Sequence, residues 1–225
     1  MKRILLTVLI FGLLACISYW GNQMSFSKDG HSFESAGIPT IYQKQKIQNG
    51  DIIFQTSTSN QSKAIQLATN SKYSHMGIIY ENDGDFFVYE AIQPVKLTPL
   101  KEWVNRGYKR QYVIKRLKNS KEVLTRSNLS RMKKVGERFK GKSYDIYFEW
   151  SDDKVYCSEL VWKIYYEATG IELGKLEKLS DFDLSNEEVK SIMKQRYGNN
   201  VPMEEKVISP AAMFTSEKLK TVIVN

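Results

Sequence analysis

The sequence predicts an α+β fold in which a small antiparallel sheet packs against helices. Strand-like runs crowd the first half of the chain after residue 45. Helical periodicity takes over from about residue 124, and no regular strand–helix alternation points to a parallel sheet. A chain of 225 residues, 42% hydrophobic and 12% aromatic, can bury one full core, so residues 46–225 are expected to form one domain.

The first residues form their own unit. Met1-Lys2-Arg3 is a short basic head, and Ile4 to Ile17 is apolar apart from Thr7, Gly12 and Cys16. Residues 1–20 are therefore an export signal or a membrane anchor. Leu13-Leu14-Ala15-Cys16 resembles the lipobox of bacterial lipoproteins, in which the signal is cut before a cysteine that then carries lipid. The alternative is an uncleaved anchor, since the apolar run through Tyr19-Trp20 reaches about 17 residues, the lower limit for a spanning helix. Both readings place the protein outside the cytoplasm, held at a membrane. Residues 21–45, rich in Ser, Gly, Asn and Gln, read as a polar tether.

Gly50 to Phe54 reads as the first strand and Lys63 to Thr69 as a short helix. Ser74 to Tyr80 and Asp85 to Ala91 flank Glu81-Asn-Asp-Gly84, a hairpin signal read as a four-residue loop. Val95 to Leu97 and Tyr112 to Lys115 are further strands, with a helix started by Thr98-Pro99 between them. The second half predicts helices over Leu124–Phe139, stopped near Gly141, and over Cys157–Thr169, stopped by Gly170. A third runs from Ser185 to Tyr197, where Ser185-Asn-Glu-Glu188 fits a capping box. Ser209-Pro210 starts a last short helix, and Lys220 to Val224 returns as a strand.

The formal net charge is +8; removing Lys2 and Arg3 leaves 31 basic against 25 acidic side chains, or +6. The excess lies in mixed runs such as Lys109-Arg110, Lys115-Arg116 and Arg131-Met-Lys-Lys134. Such a surface is either simply solvated or drawn to anionic lipid or wall polymer. No recognition motif is interleaved with it, so nucleic acid is not an expected partner.

Cys157 stands in the first turn of its predicted helix, where unpaired N–H groups carry a partial positive charge that favours an anion. With Cys16 committed to the membrane, Cys157 lacks a disulfide partner and is a candidate reactive thiol; the plainer reading is a small core residue. A cysteine nucleophile needs a base, and only His31 and His75 exist. His31 falls in the tether. His75, Gly77 and Ile79 share one strand face. If Tyr80 pairs with Asp85, His75 lies opposite Glu90, whose carboxylate could orient the imidazole; otherwise Glu90 is an edge-strand charge. Two histidines and one available thiol are too few for the usual zinc sites, so neither metal nor cofactor is expected.

Gly50-Asp51, Ser74-His75-Met-Gly-Ile, Tyr89-Glu90-Ala, Tyr144-Asp145, Tyr156-Cys-Ser-Glu-Leu-Val161 and Ser209-Pro210 come in an order that resembles the permuted papain-like amidases of the YiiX and YaeF type, a branch of the NlpC-like cysteine hydrolases. The resemblance implies a circularly permuted papain-like fold over most of residues 46–225. It implies histidine first, a polar orienter next and cysteine last, here His75, Glu90 and Cys157. Tyr144 resembles the active-site tyrosine of the NlpC group, which helps hold the oxyanion. The implied chemistry is cleavage of an amide through a thioester, with a peptide or amide substrate such as a wall stem peptide. A thiol acyltransferase or lipid hydrolase on the same scaffold, and a binding module without turnover, are the alternatives.

Overall fold

In the computed structural model, which describes residues 46–225, strand β1 (Ile52–Ser57) leads into helix α1 (Asn60–Thr69) and a hairpin of β2 (His75–Asn82) and β3 (Asp85–Glu90). The hairpin is tighter than expected. Asp83 and Gly84 alone form its turn, with φ of 52° and 83°, the two left-handed residues of a two-residue hairpin loop. Glu81 and Asn82 stay in the strand, so Tyr80 faces Phe87 rather than Asp85. The expected four-residue loop is thus corrected by two residues, an even shift that keeps every side chain on its face.

The chain continues through β4 (Lys96–Pro99), α2 (Leu100–Arg106) and β5 (Gly107–Leu117). Gln55 pairs with Tyr112 but Ser57 with Gly107, so residues 108–111 bulge from β5, with Lys109 and Arg110 at φ 53° and 58°. Short α3 (Ser120–Val123) precedes α4 (Arg126–Glu137). The single helix expected over Leu124–Phe139 begins later because Thr125 accepts a hydrogen bond from Asn128 N at 3.2 Å and caps α4. Then come α5 (Cys157–Thr169), β6 (Glu177–Lys178), α6 (Glu187–Tyr197), β7 (Lys206–Val207), α7 (Pro210–Phe214) and β8 (Leu219–Val224). The cap of α6 is Asn186, which accepts from Glu188 N at 2.9 Å; Ser185 is turned to Asp183 instead. The α5 helix and the Ser209-capped α7 fall where the periodicity places them.

Among the described residues six strands form one antiparallel sheet in the order β4-β3-β2-β1-β5-β8, and β6 pairs with β7 apart from it. Alternation divides the sheet. Ile52, Phe54, Met76, Ile78 and Val113 pack with Leu160, Val161 and Ile164 of α5, while Ile53, Ile79, Val88 and Ile114 pack with Trp103 and Val104 of α2. The helix α5 is buried on nearly all sides rather than along one stripe, because α4 lies over it and the 206–213 segment covers its start. One polar tie joins it to the sheet: Tyr165 donates to the Gly50 carbonyl just before β1, where the neighbouring Asp51 binds Arg116 of β5. All described residues belong to one compact unit.

Candidate active site

Cys157 is the first residue of α5, after Tyr156 in extended conformation. The loop before it is pinned: Ser158 Oγ donates to Ile208 O at 2.7 Å, and Tyr156 Oη accepts from Ile208 N at 3.1 Å. One turn in, buried Glu159 accepts from Tyr156 N at 3.3 Å and meets Lys163 Nζ at 2.8 Å, which also reaches Asp152 at 2.7 Å. Burial pushes Glu159 up to about 8, against the pull of Lys163. The Tyr156-to-Val161 motif thus supplies both a thiol and the hydrogen bonds that hold the helix start.

His75 opens β2 on the face it shares with Glu90. Its Nε2 lies 2.6 Å from Glu90 Oε2, and the Cys157 thiol is near enough to the imidazole to raise its pKa. With Nε2 taken by Glu90, Nδ1 is the nitrogen left for the thiol. Burial pulls the His75 pKa down, but Cys157 and then Glu90 outweigh it and push it up to about 9. Trp103 of α2 stacks on the ring, centroids 5.8 Å apart.

Glu90 is not directly opposite His75. One step beyond the Ile78–Tyr89 pair, Gly77 comes opposite Glu90, and a Cβ on Gly77 would lie 3.4 Å from Glu90 Cβ. The carboxylate crosses the empty space over Gly77 to reach the diagonal neighbour, within the range of long side chains. Its other oxygen accepts from Thr98 Oγ1 at 2.5 Å and from Arg106. Burial alone would raise the Glu90 carboxyl, yet the bonds from His75 and Thr98 and the charge of Arg106 hold it below its ordinary value.

Tyr144 reaches the same point from a loop. It bridges to Val155 two residues before the Cys157 helix begins, and the carboxylate of its neighbour Asp145 ties Tyr147 N and Glu149 N at 2.8 and 2.6 Å. The Tyr144 hydroxyl accepts from Gln61 Nε2 at 2.9 Å. Burial first, then the charge of Cys157, hold its pKa well above the usual phenol value.

Two spaces flank the site, one on the side of Cys157 and one on the side of His75. A narrow apolar cavity of about 80 Å³ is lined by Cys157 with Phe148, Val189, Ile192 and Ile208. A polar cleft of about 730 Å³ is lined by His75 with Ser57, Ser74, Arg106 and Lys109. Gln61, Ile65 and Tyr144 line both and form the divide.

The model of the permuted papain-like amidase family, YaeF/YiiX, C92, matches residues 46–223. The chain belongs to that family. It is 49% identical over 175 residues to protein YiiX of Escherichia coli strain K12, covering 78% of this chain and 85% of that one. A crystal structure described as the metalloprotein yiiX of Escherichia coli O157:H7 superposes with a TM-score of 0.76 at 47% identity, covering 80% of this chain and 98% of that one. Family membership makes the fold a permuted papain-like one and the protein a hydrolase of the amidase class.

The word metalloprotein belongs to that relative. Among the described residues of this chain, no three His, Cys, Asp or Glu side chains converge to hold a metal ion. His75 and Glu90 spend their facing atoms on each other. His75, Glu90, Cys157 and Tyr144 are brought together, while Asp51 is withdrawn to Arg116. Cys16, His31, the expected signal or anchor over 1–20 and the tether over 21–45 lie outside the described residues. The sequence does not point to Gln61, Arg106 or Arg196, and marks Thr98 only as part of a helix start; the folded register alone brings the four to the site.

Proposed function

We propose that the protein is a cysteine amidase whose nucleophile is Cys157, whose general base and acid is His75, and whose orienting carboxylate is Glu90. What carries this reading is Glu90 held on His75 at 2.6 Å, with the Cys157 thiol of a helix start acting on the same imidazole. His75 Nδ1 takes the thiol proton, and the sulfur attacks the carbonyl carbon. The oxyanion is met by the Cys157 backbone N–H and the Tyr144 hydroxyl. His75 then protonates the leaving nitrogen as the C–N bond breaks. A water deprotonated by His75 attacks the thioester, the C–S bond breaks, and acid and thiol are released.

The acyl part of the substrate points into the apolar cavity and the leaving amine into the polar cleft beside His75. A wall stem peptide is one amide that presents such a polar leaving side. The apolar lining of the space at Cys157 favours a second reading, a lipid hydrolase or acyltransferase in which the acyl group is a hydrocarbon chain. Amine release from peptides against release or transfer of fatty acyl groups, measured on the mature protein, separates the two. Ligand retention by Cys157→Ser with no turnover by the parent would instead mark a binding module.

The basic, apolar head with Cys16 supports an exported protein held at a membrane by lipid, or by an uncleaved anchor. Among the described residues no helix is long and apolar enough to cross a membrane. Metabolic labelling with an alkynyl fatty acid should mark the parent and not Cys16→Ser; label persisting in the variant removes the lipidation.

A further inference from the structure

Tyr144 can serve an oxyanion only if its single hydroxyl proton points to the reacting carbonyl, and a lone tyrosine has no means of ensuring that. The neighbouring bonds supply one. Arg196, in the last turn of α6, donates from Nη2 to Gln61 Oε1 at 2.8 Å. A guanidinium only donates, so the amide end facing it must be oxygen. The opposite end, 2.9 Å from the Tyr144 hydroxyl, must then be the NH₂, which also only donates. The usual ambiguity of an amide's orientation is thereby removed by chemistry. Tyr144 Oη has to accept from Gln61, and its own hydrogen is left for Cys157, its other polar neighbour.

We propose that Gln61 is a positioning residue for the acyl-transfer step, set by Arg196, and that it fixes the direction of the Tyr144 proton toward the oxyanion. The proposal rests on the cysteine-hydrolase reading above. Every bond in the chain Arg196, Gln61, Tyr144 runs one way, so the guanidinium charge polarises the phenol as negative charge develops on the substrate oxygen. The arrangement also explains why Gln61 stands on the divide between the two spaces: it must touch Tyr144 without occupying the place of either half of the substrate. Arg196, held over the Phe148 ring at 5.3 Å, reaches it from the apolar side.

The test compares a reaction that builds an oxyanion with one that does not. Acylation of Cys157 by p-nitrophenyl acetate, read as the burst of p-nitrophenol, forms a tetrahedral oxyanion; alkylation by iodoacetamide does not. Gln61→Met keeps the volume and loses the donor, and Gln61→Glu offers the tyrosine an acceptor and turns its proton away. Acylation should fall about tenfold in Gln61→Met and about 10²-fold in Gln61→Glu, the latter approaching removal of an oxyanion donor. Tyr144→Phe should itself lose about 10²-fold, and adding Gln61→Met to it should change acylation by no more than about twofold, since the groups act as a unit. Alkylation should be equal in Gln61→Met and the parent. Unchanged acylation in Gln61→Met, an equal loss in the Tyr144→Phe background, or a matching loss of alkylation overturns the proposal. A parent that is alkylated but never acylated overturns the hydrolase reading itself, and the role of Gln61 with it.

Discussion

Glu90 is the residue on which the arrangement turns, a fully buried carboxylate whose oxygens are claimed by His75, Thr98 and Arg106. Glu90→Gln keeps the shape, removes the charge and offers His75 the wrong hydrogen-bond partner, so turnover should fall roughly 10²- to 10⁴-fold. His75→Ala should abolish it, and the double variant should lose almost nothing more. Circular dichroism of Glu90→Gln should stay near that of the parent. The imidazole carries its own prediction. Raised from 6.5 to about 9, His75 contributes stability that is complete below the unfolded value and is lost as pH rises through about 9. In an NMR titration its ring should change charge near 9 and well below that in Cys157→Ser; identical midpoints would mean that the thiol does not act on it.

The element that delivers Glu90 is the β2–β3 hairpin, and Gly77 is its tightest point. A Cβ there would fall 2.4 Å from Val88 Cγ1 and 2.7 Å from the Tyr89 carbonyl oxygen. Gly77→Ala should therefore cost about 1–3 kcal/mol by denaturant melt, from overpacking, and should also lower turnover by displacing the carboxylate. A melt equal to the parent's would contradict that crowding. Thr125→Ala, which removes only the α4 cap, should cost about 1 kcal/mol and leave turnover unchanged. How much of this was legible depends on periodicity. Alternation places His75 and Glu90 on one face although the expected loop is two residues too long, because only an odd slip reverses a strand. Helical spacing placed α5 to the residue. The Gln61 and Arg196 bonds were not legible, since two helices remote in sequence must pack before the side chains meet. The short β6–β7 pair carries too few residues for any period to register.

Across the whole molecule, an apolar space lined by Cys157 and covered by α6 adjoins, at Gln61, Ile65 and Tyr144, a polar cleft lined by His75 beside the β5 bulge, and the proposed reaction gives each half of its substrate one of these surfaces. Filling the apolar side with Ile192→Trp should suppress hydrolysis of long-chain p-nitrophenyl esters and spare the acetate. Equal loss for both would show that the cavity does not hold the acyl group. The permuted order, histidine strand before cysteine helix, needs the sheet, α5 and the Tyr144 loop to close together before any chemistry exists. That makes the covalent intermediate the most direct test of the account. Intact-mass spectrometry after rapid mixing with an activated acyl ester should find one acyl group on Cys157 that is cleared by hydrolysis, slowly formed in Glu90→Gln and absent in Cys157→Ser. An adduct on another residue, or undiminished turnover in Cys157→Ser, would contradict it.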